Sequence, residues 1–126
     1  MFTIRQEQMD HLGASRREEF IKRTRQNLDQ MFPYEPSIKD EPVVRSLIEF
    51  GIERAAEYGI SRGREVTLFI FLVQDLGRDF EKQPNSLWIQ ELLNDTELEE
   101  QEKMDLIYTR LELAGSKANY AIGGAN

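Results

Sequence analysis

The chain has 126 residues, no cysteine and a formal net charge of −7 at pH 7. Its length fits one domain with its own core, and the absence of thiols excludes disulfides, thiolate catalysis and cysteine metal sites. The acidic balance repels phosphate backbones and argues against nucleic acid as a partner.

The first predicted helix begins at Thr3, where Gln6 completes a capping box. It ends at Phe32, because a following proline disfavours helical geometry. Its apolar side chains recur every three or four residues but lapse over 13–17, which predicts a kink or a break into two helices. Residues 33–42 hold three prolines and are predicted to form a loop.

A second helix is predicted to follow, with Asp40 or Glu41 as its cap and Pro42 in its first turn. Gly59 is expected to end it in a left-handed conformation. The predicted core stripe of this helix consists of Val44, Leu47, Ile48, Ile52, Ala55 and Tyr58.

The third predicted helix spans residues 62–76, with Ser61 as its cap and Gly77 as its stop. The turn before it resembles that of a helix-turn-helix protein, but a recognition helix needs polar side chains facing the DNA. This helix is apolar on nearly every side, which is typical of a buried helix. Its main apolar face consists of Val66, Phe69, Ile70, Val73 and Leu76, and Leu68, Phe71 and Leu72 cover much of the other side. Residues 65–73 could also form a strand, but no second strand is present to pair with them.

A short helix over 86–93 and a last helix from Asp95 or Thr96 complete the predicted fold. We expect Trp88 to pack in the core, with an exposed interface anchor as the alternative. The Gly-rich tail, 115–126, is expected to be flexible. The sequence thus predicts an all-α fold, a single compact domain over 1–114 with about five helices around the apolar central helix 62–76.

Few residues in the sequence are candidates for catalysis or metal binding. His11 is the only histidine, and it has no nucleophile beside it, so we interpret it as a surface residue. Glu49, Glu53 and Glu57 lie opposite the predicted core stripe and indicate a solvated face, with a metal site as the alternative. A basic cluster over 16–25 contains interspersed glutamates and favours salt bridges over nucleic-acid binding. We therefore expect no catalytic set, no metal and no cofactor.

Glu97, Glu99, Glu100 and Glu102 are the candidate partner-binding residues. They cluster at the predicted start of the last helix, where the helix dipole stabilises acidic side chains. The cluster extends beyond the first turn, and stability alone does not account for all of this charge. The alternative to a simple solvated helix start is a docking surface for a basic partner.

Several segments of the chain resemble a family of small helical proteins encoded beside type VI secretion spike and toxin genes in Gram-negative bacteria. The resemblance covers about residues 3–113 and includes no catalytic signature. The matching segments are 4–5 with Gln8, Phe20 through Leu28 to Pro33, 51–60, 76–80, 87–89 and 92–95.

This resemblance implies a non-catalytic adaptor or chaperone whose partner is another protein, namely a secreted effector, a toxin or a spike component. An immunity protein that blocks a toxin is the alternative, since acidic side chains suit a basic nuclease. A small enzyme and a DNA-binding regulator are less favoured. The N-terminus has no signal pattern and no apolar run approaches the roughly 20 residues of a membrane helix, so we expect a cytoplasmic protein without membrane contact.

Overall fold

The computed structural model describes residues 13–115. All regular structure in this range is helical, without a β-strand, which confirms the predicted all-α class. The α-helices in it are α1 (Gly13–Met31), α2 (Pro36–Lys39), α3 (Glu41–Glu57), α4 (Gly63–Leu76), α5 (Leu87–Leu93) and α6 (Glu100–Gly115). Two 3₁₀ turns, Phe80–Lys82 and Pro84–Ser86, precede α5. Within this part of the chain, none of the helices has both the length and the apolar character needed to cross a bilayer.

The chain divides after Arg78 into two compact units. The first unit contains α1 to α4, and the second contains the two 3₁₀ turns, α5 and α6. The single domain over 1–114 stays a prediction. The capping box at Thr3, His11 and the flexible tail lie outside the described residues, except that Gly115 ends α6.

The helix boundaries of the first unit follow mostly from local chemistry. The Asp40 side chain accepts a hydrogen bond from the Val43 amide at 3.3 Å and caps α3, as predicted. Gly59 and Gly77 have φ angles of 77° and 109°, which explains why glycine ends these helices. The prediction of Ser61 as the cap of α4 is wrong, because Arg62 occupies that position and its side chain does not cap the helix.

The predicted loop over 33–42 is wrong in part, because Pro36–Lys39 form one helical turn. Proline at the first position is compatible with a helix start, since its missing N–H has no helical partner there. The predicted interruption over 13–17 lies within the described part of α1 and is helical.

The core of the first unit is the packing of α4 against α3 and α1. Phe69, Ile70 and Leu72 are fully buried, which confirms the apolar helix. Gly51 of α3 packs directly on Ile70, so closely that a Cβ at Gly51 would overlap the Ile70 Cγ1. Leu76 is 44% exposed, because the last residue of α4 extends past the packed surface, so its predicted burial is wrong.

Ion pairs join α1 to the neighbouring helices. Glu18 of α1 accepts hydrogen bonds from both terminal nitrogens of Arg45 on α3, and one of them, from Nη1 to Oε1, measures 2.9 Å. These bonds from Arg45 hold the pKa of the Glu18 carboxyl below its usual range. Asp29 pairs with Lys39 at 2.5 Å. Salt bridging by the basic cluster is confirmed for Arg25, which pairs with Glu41 of α3.

In the second unit, α5 and α6 pack against each other. The fully buried side chains here include Ile89, Leu93, Met104 and Ile107. The last helix begins at Glu100, so its predicted start at Asp95 or Thr96 is wrong. Residues 94–99 form turns instead, in which the Asp95 carboxylate accepts a hydrogen bond from the Glu97 amide at 2.9 Å.

Candidate protein-binding surface on the last helix

One face of α6 carries exposed acidic and apolar side chains in line. Successive residues of an α-helix turn by about 100°, so positions three and four apart share a face. This spacing aligns Glu102, Leu106, Arg110 and Leu113, and Glu99 lies just before the helix, three positions ahead of Glu102. We call these five residues the exposed stripe. Leu106 is 42% exposed and Leu113 is 71% exposed, and the three charged members are exposed as well.

The neighbouring face of α6 is buried. Met104 and Ile107 have no exposed surface, and Lys103 is only 8% exposed. Burial lowers the pKa of the Lys103 ammonium, and the nearby carboxylates of Asp95 and Glu100 partly offset this effect. The helix buries its core side chains on this face, whereas Leu106 and Leu113 keep much of their surface exposed.

A hydrogen-bonded start fixes the acidic end of the stripe. The Glu102 carboxylate accepts a hydrogen bond from the Glu99 amide at 2.9 Å, and the Glu99 carbonyl accepts one from the Lys103 amide at 3.0 Å. This is the glutamate half of a capping box. Glu102 therefore has a structural role, whereas the Glu99 side chain contributes none of these bonds.

The structure separates the four predicted partner-binding glutamates. Glu99 and Glu102 lie on the exposed stripe, whereas Glu97 precedes the helix within a turn. Glu100 is half-buried and interacts electrostatically with Lys103, on the buried face beside the stripe. Only two of the four thus share a face, and whether any of them binds a partner stays a prediction.

Arg110 of the stripe contacts Trp88 of α5. The Arg110 guanidinium lies 4.5 Å from the centroid of the Trp88 ring, in a cation–π contact. Trp88 is half-buried, so its predicted place in the core holds only in part. Leu87 beside it is exposed. Tryptophan and arginine are the residue types most enriched where binding energy concentrates at protein interfaces.

The other chemical candidates are placed as follows. Glu53 and Glu57 are exposed, and Glu49 accepts a hydrogen bond from Arg45 at 3.2 Å, which agrees with a solvated face on α3. Among residues 13–115, no three histidine or carboxylate side chains converge in a way that would hold a metal ion. Arg23, from the basic cluster, lines a cavity that is described below.

Sequence reasoning missed Leu106, Arg110 and Leu113. The sequence shows their spacing of four and three residues. Met104 and Ile107 have a similar helical spacing, and they were assigned to the core of the last helix first. The signal that distinguishes them is their phase with Glu102, since apolar residues in phase with a solvated carboxylate do not face a core.

Comparison of the chain with models of protein families, with curated proteins and with solved structures found no match. The resemblance to type VI secretion accessory proteins therefore stays a hypothesis.

Proposed function

We propose that the chain is a non-catalytic accessory protein that binds another protein through the exposed stripe. The observation that carries the proposal is the alignment of Leu106 and Leu113 with Glu102 on the solvent face of α6, next to the exposed Glu99. In agreement with the family resemblance, the partner would be a secreted effector, a toxin or a spike component. A chain without cysteine is compatible with action in the cytoplasm, before secretion.

The stripe suggests the chemistry of its partner. Exposed leucines favour an apolar groove, because burial of apolar surface is the main driving force of association. The glutamates at one end favour basic side chains at the matching end of the groove, where they would accelerate association and fix its register. We therefore propose a partner surface with an apolar centre and a basic edge.

An immunity protein is a second candidate, and the acidic end of the stripe is the observation that favours it. Such a protein would cover the basic active site of a toxic nuclease. The two roles differ in one outcome, because an immunity protein abolishes the toxin's activity on binding and an adaptor leaves it intact.

Site-specific photo-crosslinking in the organism that encodes the chain tests the proposal. A benzoylphenylalanine at Leu106 or at Leu113 places the reactive group in the stripe. Tyr34 of the first unit is the matched control, because it is an aromatic side chain that is 94% exposed and lies outside the stripe. We expect one defined adduct from both stripe positions and none of that mass from Tyr34.

The identity of the adduct decides between the outcomes. Mass spectrometry should identify a protein with a basic surface, and a gene next to a spike or toxin gene would support the secretion role. If both stripe positions give no adduct, or the same adducts as Tyr34, the proposed binding surface is wrong. If the crosslinked partner is acidic, the proposed charge complementarity is wrong.

A further inference from the structure

A cavity of about 350 Å³ lies between α1 and α4 in the first unit. Its size is at the lower end of the range for small-molecule pockets, about 300 to 1,000 Å³. One face of α1 and the first turns of α4 line it. The lining residues are Phe20, Arg23, Thr24 and Asn27 from α1, and Gly63, Arg64, Thr67 and Leu68 from α4.

The lining is cationic in an otherwise acidic protein. Among the described residues, the lining includes two arginines and no carboxylate, although the chain carries a net charge of −7. Arg64 donates a hydrogen bond to the buried carboxylate of Glu65 at 2.6 Å, which holds its guanidinium at the N-terminal turn of α4. Arg23 pairs with none of the carboxylates in the described residues. The cavity therefore keeps a positive charge that a bound anion would neutralise.

Thr24 provides the second and independent sign of a ligand. The residue is 1% exposed, and its hydroxyl has no hydrogen-bond partner among the described residues. A buried hydroxyl without a partner destabilises the folded state, and such groups are uncommon unless a bound molecule satisfies them. Because Thr24 lines the cavity, an oxygen-bearing ligand there could supply the missing bond.

The N-terminus of α4 adds to the preference for an anion. This helix has 14 residues and begins at Gly63, and the Arg62 side chain at its cap position makes no capping bond. The positive end of the helix dipole therefore faces the cavity at Gly63, as in many phosphate sites. The Thr67 hydroxyl, which donates to the Gly63 carbonyl at 2.8 Å, can still accept a hydrogen bond.

We propose that this cavity binds a small organic phosphate, namely a phosphomonoester with a short apolar group. The phosphate oxygens would take hydrogen bonds from Arg23, Arg64 and Thr24, since guanidinium groups match phosphate geometry. Phe20 and Leu68 would contact the apolar group. This site lies in the first unit and is independent of the stripe on α6.

Isothermal titration calorimetry with the full chain tests the proposal, with phenyl phosphate as the probe. Phenol lacks the anion, inorganic phosphate lacks the ring, and benzoate replaces phosphate by carboxylate. We expect saturable binding of phenyl phosphate, weaker binding of inorganic phosphate and benzoate, and none of phenol. Absence of saturable binding by phenyl phosphate, or equal binding of phenol, overturns the proposal.

Substitutions locate the binding in the cavity. Arg23→Gln should weaken the binding of phenyl phosphate by about tenfold or more, the usual effect of losing a charged hydrogen bond. Lys22→Gln removes the same charge from the adjacent, exposed position outside the lining and should leave the affinity unchanged. Equal effects of the two variants would place the bound anion elsewhere and overturn the proposal.

Two further variants separate binding from folding. Gly63→Glu places a carboxylate at the helix start, where it favours the helix but repels an anion, so the melting temperature should hold while binding is lost. Thr24→Val removes the unpartnered hydroxyl, so the unliganded protein should melt at the same or a higher temperature and bind the probe more weakly. If both variants bind phenyl phosphate like the wild type, the proposed site is wrong.

Discussion

The contact between Gly51 of α3 and Ile70 of α4 supports a sharp prediction. A Cβ at Gly51 would overlap the Ile70 Cγ1, and the Ile70 Cδ1 lies at 3.4 Å from the same point. The branched isoleucine side chain has few alternative rotamers in a helix. Gly51→Ala must therefore displace Ile70 or separate the two helices.

The expected magnitude combines two opposing effects. Overpacking in a buried contact destabilises by about 1 to 3 kcal/mol. Replacing glycine by alanine inside a helix stabilises by about 1 kcal/mol. The free energy of unfolding should thus fall by about 0 to 2 kcal/mol in Gly51→Ala. In an Ile70→Ala background the overlap is removed, and Gly51→Ala should then raise the free energy of unfolding by up to about 1 kcal/mol.

Urea unfolding followed by circular dichroism measures all four proteins of this double-mutant cycle. Ile70→Ala alone should lose about 2 to 5 kcal/mol, because the side chain is fully buried. Gly63→Ala is the matched control, since its Cβ would meet only the Phe20 ring at 3.9 Å. The reasoning is refuted if Gly51→Ala changes stability equally in both backgrounds, or stabilises the wild type as Gly63→Ala does.

Three further predictions concern the core, the ion pairs and the helix start. Phe69→Ala should lower the free energy of unfolding by about 3 to 5 kcal/mol, measured in urea, and a loss below about 1 kcal/mol would contradict its burial. The ion pair with Arg45 lowers the pKa of Glu18 in the folded state, so it stabilises the fold above the unfolded-state pKa of about 4.3. This contribution is lost as the pH falls through the folded-state pKa, and Glu18→Gln should remove this pH dependence of stability. Acid titrations of wild type and Glu18→Gln that run parallel below that pH would show that Arg45 does not shift the carboxyl in solution. Glu102→Ala should lose about 1 kcal/mol, as capping residues do, while Glu99→Ala should lose less, and the reverse order would contradict the hydrogen bond at the helix start.

Local chemistry made much of the first unit predictable. Asp40, two residues before Pro42, and the glycines at 59 and 77 determine helix ends through interactions within a few residues. The burial of Val66 and Phe69 followed from an apolar surface that surrounds the whole helix.

The wrongly predicted helix starts depend on which of several nearby capping groups forms the hydrogen bond, and the sequence pattern does not decide this. Asp95 and Thr96 are good capping types, but the Asp95 carboxylate bonds within a turn, and the Glu102 carboxylate caps the helix at Glu99 instead. Ser61 does not cap α4, because the helix begins one residue later than a cap at Ser61 requires.

Features formed by separate helices could not be predicted from the chain alone. The cavity beside Thr24 requires α1 and α4 to lie together, although the residues that line it are about 40 positions apart. The exposed stripe was closer to prediction, since two of its glutamates were identified. Its leucines were not, because exposure is decided by which face of α6 packs.

Association kinetics with the crosslinked partner test the central claim, that the exposed stripe binds a basic protein. Glu99→Lys reverses a charge in the stripe, and Glu53→Lys makes the same change at an exposed position on α3. We expect Glu99→Lys to slow association at about 50 mM salt. At about 500 mM salt its association rate should differ little from that of the wild type, because screening shortens the range of electrostatic attraction. Glu53→Lys should associate like the wild type at both salt concentrations. Equal association rates for Glu99→Lys and Glu53→Lys at low salt would contradict the claim.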